Sequence, residues 1–297
     1  MKKVCIFAGA LLILIIVTAG MFMALYKPKR YSDFGVFTDL ETRVITLLQT
    51  RGAEQRPVTR YFKDFTVGLS LVTGKVFGSS VAGIPLKSFE TERIAAATVS
   101  HFELPPGSSY YRDFTLNVRP GYAFKAPVLH IDFMKPMPGF PGMCVMDFFN
   151  ADTDSISWDV FFGAGLAGVK KALLLVEKYQ RTVEDGRGKI TGYLDPHKSP
   201  YRFELKEPET NDEDIRRVYY ETVQDAIELV LQSYFTSLDR LVPEAAYAAR
   251  HEKKIQELLQ LFYSNDIAVS MGRKMLGDDF KKYWLDGFWN VQMELQE

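Results

Sequence analysis

The sequence predicts an α+β domain: a central antiparallel sheet with helices packed on its faces. Two observations carry this. Between about residue 66 and residue 162 the chain is a series of short apolar or alternating runs, separated by Gly, Pro and Ser. From about residue 164 the apolar spacing changes to three and four, the period of an amphipathic helix. Composition agrees. Of 297 residues, 47% are hydrophobic and 25% charged, enough apolar material for a sizeable core.

The first element is an apolar leader. After Lys2 and Lys3, the run from Val4 to Tyr26 holds no charge, and its 23 residues would span about 34 Å as a helix. We expect residues 1–30 to form a single-pass membrane anchor with its connector, and residues 31–297 a single domain. "TAGMF" is a poor cleavage site, and Lys27, Lys29, Arg30 and Arg43 follow the span, so the positive-inside rule leans toward a cytoplasmic domain. "KPKRYSDFG" is short, so the domain would sit close to the bilayer.

Residues 38–50 and 55–65 read as amphipathic helices. The strand region then runs through "FTVGLSLVTG", "ERIAAATVSHFEL", "YYRDFTLNVRP", "APVLHIDFMKP" and "MCVMDFF", which short connections join into a meander. The helical region opens with "GLAGVKKALLLVEKYQ". A longer helix follows over 210–241, capped by Thr210 or Asn211, with Ile215, Val218, Tyr219, Val223, Ile227, Val230 and Tyr234 on its apolar stripe. Two more helices are expected at 244–263 and 278–291.

The totals exclude several classes. A formal net charge of -1 gives nucleic acid no electrostatic foothold. Cys5 and Cys144 make no disulfide framework. The four histidines, His101, His130, His197 and His251, show no close metal-ligand spacing, so no bound metal is expected.

One strand is unusual. In "APVLHIDF", alternation places Val128, His130 and Asp132 on one face and Leu129, Ile131 and Phe133 on the other. Two titratable groups share one face of a core strand. Burial raises the pKa of a carboxyl, and a protonated carboxyl facing a cavity is a proton donor. Either His130 and Asp132 are hydrogen-bonded into the structure, or they line a site. A second stretch, "NDIAVSMGRKMLGDDFKKYW", opens with Asn265 and Asp266, which on local grounds form a helix N-cap. Near the C-terminus, Tyr263, Tyr283, Trp284, Phe288 and Trp289 would form core or the wall of a site for a planar ligand.

Read together, "ERIAAATV", "DFTLNVRPGYAF", "APVLHIDF", "CVMDFFNAD" and "NDIAVSMGRKMLGDDFKKYW" resemble the ferredoxin-dependent bilin reductases, with red chlorophyll catabolite reductase a distant relative, over about residues 60–290. The resemblance implies a three-layer α/β/α sandwich with a linear tetrapyrrole lying between sheet and C-terminal helices. It implies no bound metal or organic cofactor, with reduced ferredoxin supplying single electrons. It matches the family's strand aspartate to Asp132, as a proton donor, and the aspartate of its Asn-Asp pair to Asp266, as a second donor or as a residue that positions the pigment. His130 and Asn265 would line the same pocket. The pigment's propionates need cations, for which Arg112, Arg119 and Lys125 are the candidates. The chain departs from the family in its apolar leader. It also has Glu90 and Glu92 but no histidine where some members use a His and a Glu. The expected function is a membrane-anchored reductase of a biliverdin-like bilin. The alternatives are a non-catalytic tetrapyrrole carrier and an anchored assembly factor without a ligand.

Overall fold

The computed structural model describes residues 35–56, 86–104, 111–135, 141–181, 192–266, 269–270, 273, 280–281 and 283–295. The apolar run at 4–26, the strand expected in "FTVGLSLVTG" and Gly277 lie outside the described residues. Among those described, no helix is long and apolar enough to cross a membrane.

Seven strands form one antiparallel sheet in sequence order. They are β1 Glu54–Arg56, β2 Leu86–Glu90, β3 Ile94–Leu104, β4 Tyr111–Pro120, β5 Val128–Lys135, β6 Met143–Phe149 and β7 Phe203–Lys206. The helices are α1 Val36–Thr50, α2 Trp158–Phe162, α3 Leu166–Val176, α4 Glu213–Asp239 and α5 Ala245–Asn265, followed by a π-helical segment, α6, Tyr283–Trp289.

The two faces of the sheet differ. Phe89, Ala97, Val99, Phe114, Leu116, Val118, Leu129, Ile131, Phe133, Cys144, Met146 and Phe148 point one way and are buried with α1, α3 and α4 in the main core. Rings pack there in close pairs, such as Phe37 on Phe133 at 4.8 Å and Phe148 on Phe162 at 4.9 Å. The opposite face supplies Val128 and Phe149 to a second apolar cluster, completed by Ile255, Leu258, Leu259 and Tyr263 of α5 and by Trp284, Leu285 and Trp289 of α6. Helices therefore cover both faces.

Several expectations are corrected. Of the helix expected at 55–65, residues 57–65 lie outside the described residues, and Gln55 and Arg56 are extended, because their backbone pairs with β2 (Gln55 with Phe89, Arg56 with Ser88) and that ladder outweighs local helix propensity. β7 falls within the helical half of the chain and pairs with β6. The long helix is capped by Asp212, whose side chain accepts from the backbone N–H groups of Asp214 and Ile215, not by Thr210 or Asn211. Ile215 and Val218 belong to its predicted stripe, yet each is 46% exposed, because the buried face of the first turns runs through Arg216, Tyr219, Tyr220 and Val223, beside them.

Candidate functional site

The second face is polar where the first is apolar. On β4, strict alternation puts Phe114, Leu116 and Val118 into the main core and Asp113, Thr115, Asn117 and Arg119 onto the other face. Register sets Asn117 opposite His130 and Thr115 opposite Asp132. It then sets His130 opposite Asp147 of β6. Thr98 and Ser100 of β3 extend the same face. Such a face costs free energy unless each group finds a partner, so it is built for something polar.

Some of those partners lie within the chain. His130 Nδ1 is 2.7 Å from Asn117 Oδ1. Burial pushes the imidazole pKa down to about 4, so it is neutral at physiological pH, and the bond to Asn117 fixes Nδ1 as the protonated nitrogen. Asp147 Oδ1 accepts from the N–H groups of Phe148 (2.8 Å) and Ser199 (2.9 Å), while burial pushes its pKa up to about 7.

Asp132 differs. Burial holds its carboxyl well above the usual range, and the neighbouring carboxyls of Asp113, within hydrogen-bond reach, and Asp266 push the same way. All of these effects favour its protonated form. Among the described residues its Oδ1 has no hydrogen-bond partner. The same holds there for Asn117 Nδ2, Arg119 Nη1 and Trp289 Nε1. These atoms stand on the polar face or on the segments laid over it, where buried polar groups are ordinarily satisfied by protein, solvent or a ligand. His130, Asp132 and Met134 are also only partly covered, in a strand whose other residues are buried.

Asp266 approaches from the helical side. It ends α5, and its Oδ1 accepts from Val269 N–H (3.0 Å), so the N-cap reading holds. Its charge is also felt by His130, Asp132 and Tyr193, three groups on two other elements.

The remaining candidates separate. Arg119 is 3% exposed on the polar face; its guanidinium donates from Nε to Trp289 O (2.8 Å) and from Nη2 to Asn290 O (2.7 Å), and it stacks over the Tyr122 ring. No carboxylate balances it in these contacts. Arg112 has the opposite parity on β4 and stands on the main-core face, away from Asp132. Lys125 pairs with Glu244 at 2.8 Å and lies over the Tyr247 ring. Asn265 is exposed, and its amide donates back to Leu261 O at 2.9 Å. Parity explains Arg112; capping of the α5 terminus explains Asn265.

Sequence reasoning passed over Asp113, Asn117, Asp147 and Tyr193. The first two were legible in the alternation of "RDFTLNVR", which marks one wet face. Tyr193 sits in a 3-10 segment, Gly192–His197, and its placement beside Asp266 depends on tertiary contacts: His197 O accepts from Asn150 N–H at 2.8 Å, and Ser199 N–H reaches Asp147. Trp284 and Trp289, expected as core or ligand wall, are buried in the second cluster, with ring centroids 6.0 Å apart. Among the described residues no group of three or more His, Cys, Asp or Glu side chains could hold a metal ion. A groove of ≈ 270 Å³ opens elsewhere, between Arg51, Arg93 and Phe235, and contains none of these residues.

No protein-family model matches the chain. No curated protein matches it in sequence. Its fold, however, is that of a solved structure. Phytochromobilin synthase from tomato, crystallised in complex with biliverdin, superimposes with a TM-score of 0.57 over 86% of this chain and 85% of that one. The two are 14% identical in sequence, so what they share is the fold.

Proposed function

We propose that this chain binds a linear tetrapyrrole between the polar face of its sheet and the C-terminal helices, and reduces it. The observation that carries the reading is Asp132: a carboxyl kept protonated by burial, with one oxygen unpartnered, on the open part of a polar sheet face. The shared fold with a protein solved in complex with biliverdin supports the choice of ligand.

Reducing one double bond takes two electrons and two protons. Single electrons come from a ferredoxin-type donor, and no resident cofactor is needed. Each reduced pigment state is basic, and Asp132 supplies a proton. Asp266 approaches from the other side as second donor or as an anchor for the pyrrole N–H groups. The neutral His130, fixed by Asn117, offers Nε2 as an acceptor. Arg119 Nη1 takes a propionate carboxylate. The aromatic cover of α6 keeps water from the radical.

The test uses the full chain in detergent, under anaerobic conditions, with biliverdin and reduced ferredoxin. Visible spectra should show transient radical absorption and then a shifted product, lost in Asp132→Asn. Pigment binding without turnover returns the carrier reading. No spectral change on adding pigment removes biliverdin as the ligand. The membrane anchor over residues 4–26, the lipid contact it would make and a cytoplasmic orientation are proposals resting on the apolar leader alone.

A further inference from the structure

The resemblance gives no role to Asp113, yet its place in the fold is particular. It shares the polar face with Asp132 and lies diagonally across the β4–β5 ladder, because Thr115 is the residue directly opposite Asp132. The two carboxyl groups come within hydrogen-bond reach. Asp113 Oδ1 also accepts from Thr115 Oγ1 at 3.3 Å, which favours its ionised form. Two residues beyond Thr115 on the same face, Asn117 is 1% exposed and its Nδ2 has no hydrogen-bond partner among the described residues.

We propose that Asp113 is a positioning residue for Asp132: the two carboxyl groups share one proton, which Asp113 retains on Asp132 through the neutral range. Two carboxyls at this separation cannot both ionise without strong repulsion. The pair holds one proton and one negative charge. In the reaction proposed above, a one-electron donor reduces the ligand, and the O–H bond of Asp132 breaks as the proton passes to the ligand radical. The two carboxylates then repel, and the pair takes a replacement proton from solvent. Asp113 thus resets the donor between transfers. Among the described residues the other titratable groups coupled to Asp132 are Asp266 after α5 and the Cys144 thiol on β6, while His130 stands on its own strand and face, two residues away. Of these described groups Asp113 is the one within hydrogen-bond reach of the Asp132 carboxyl.

The inference needs the carboxyl pair but no pigment, so its test is separate from that of the proposed reductase. The carbonyl infrared band of the protonated Asp132, isolated as the difference between the full-length protein and Asp132→Asn, is followed against pH. In the unaltered chain the band should persist above pH 7. Asp113→Asn keeps the shape but removes the charge, and should lower the midpoint by about one pH unit or more. Asp113→Glu should restore most of it. Thr115→Val, which removes the hydroxyl donor to Asp113, should lower it by less; this variant decides the matter if Asp113→Asn does not fold, as judged by circular dichroism. A midpoint left unchanged in Asp113→Asn, or in Thr115→Val where the former does not fold, overturns the proposal.

Discussion

Charge on the polar face is managed one residue at a time, and each adjustment has a sign that stability measurements can read. His130 titrates about 4 in the fold against 6.5 in the unfolded chain. The unfolded state therefore binds more protons between those values, and folding weakens as pH falls through that window. Asp147 is the reverse: its pKa is raised from 3.8 to about 7, so its contribution to stability is lost as pH rises between them. Asp132, raised by burial, acts in the same direction as Asp147. The slopes oppose one another, but two carboxyls outweigh one imidazole, so among these groups stability should fall as pH rises through the mildly acidic range, less steeply than the carboxyls alone would make it. His130→Gln removes one side of that balance. Urea unfolding between pH 4 and 6.5 should show the variant gaining on the unaltered chain as pH drops, by on the order of 1–2 kcal/mol. An unchanged pH profile would mean that His130 is not held neutral. Asp132→Asn should likewise gain stability relative to the unaltered chain toward pH 8, where an aspartate in this setting is most costly.

At the scale of elements, caps and latches hold the site's walls. Asp212 caps α4 through two backbone N–H groups, at 2.9 Å from Asp214 and 3.3 Å from Ile215. Asp212→Ala should cost about 1 kcal/mol, while Asn211→Ala should cost little, as equilibrium unfolding of the two variants would show. The C-terminal cover is latched to the sheet by Arg119, which holds the carbonyls of Trp289 and Asn290, by Thr98, whose hydroxyl donates to Phe288 O at 2.8 Å, and by Asn290, whose amide donates to Ala95 O at 2.9 Å. Asn290 itself has a positive φ of 51°, a conformation asparagine tolerates better than most residues. Arg119→Met keeps much of the stem but frees both carbonyls. It should destabilise by roughly 1–3 kcal/mol and expose the amides of 288–291 to faster hydrogen exchange. If exchange there is unaltered, Arg119 does not hold the cover.

For the whole molecule, what could be read from the sequence depended on whether the signal was local. The strands from β3 to β6 were legible because each carries period-two alternation between turn residues, and "APVLHIDF" showed its two polar groups for the same reason. β1 and β7 were not, because each is short and owes its extended form to the neighbour it pairs with. Of the residues that the resemblance groups with Asp132, Asn265 turns outward and Arg112 falls on the opposite face of the sheet. Parity alone excludes Arg112 once the β4 register is fixed. Tyr193 had no local signal; it reaches Asp266 only because the 192–199 segment is tied down by Asn150 and Asp147. The result is a sheet with one face in the main core and the other divided between polar side chains and a second apolar cluster.

The central claim is that the polar face is a tetrapyrrole site with Asp132 as its donor, and the most direct measurement is a crystal structure of the full chain with biliverdin. The account predicts the pigment flat between β3–β5 and the C-terminal helices, with Asp132 Oδ1 within about 3 Å of a pigment nitrogen or oxygen, the reach of a proton transfer, and a propionate on Arg119. Pigment bound elsewhere, or Asp132 closed off by the protein's own side chains, would contradict it.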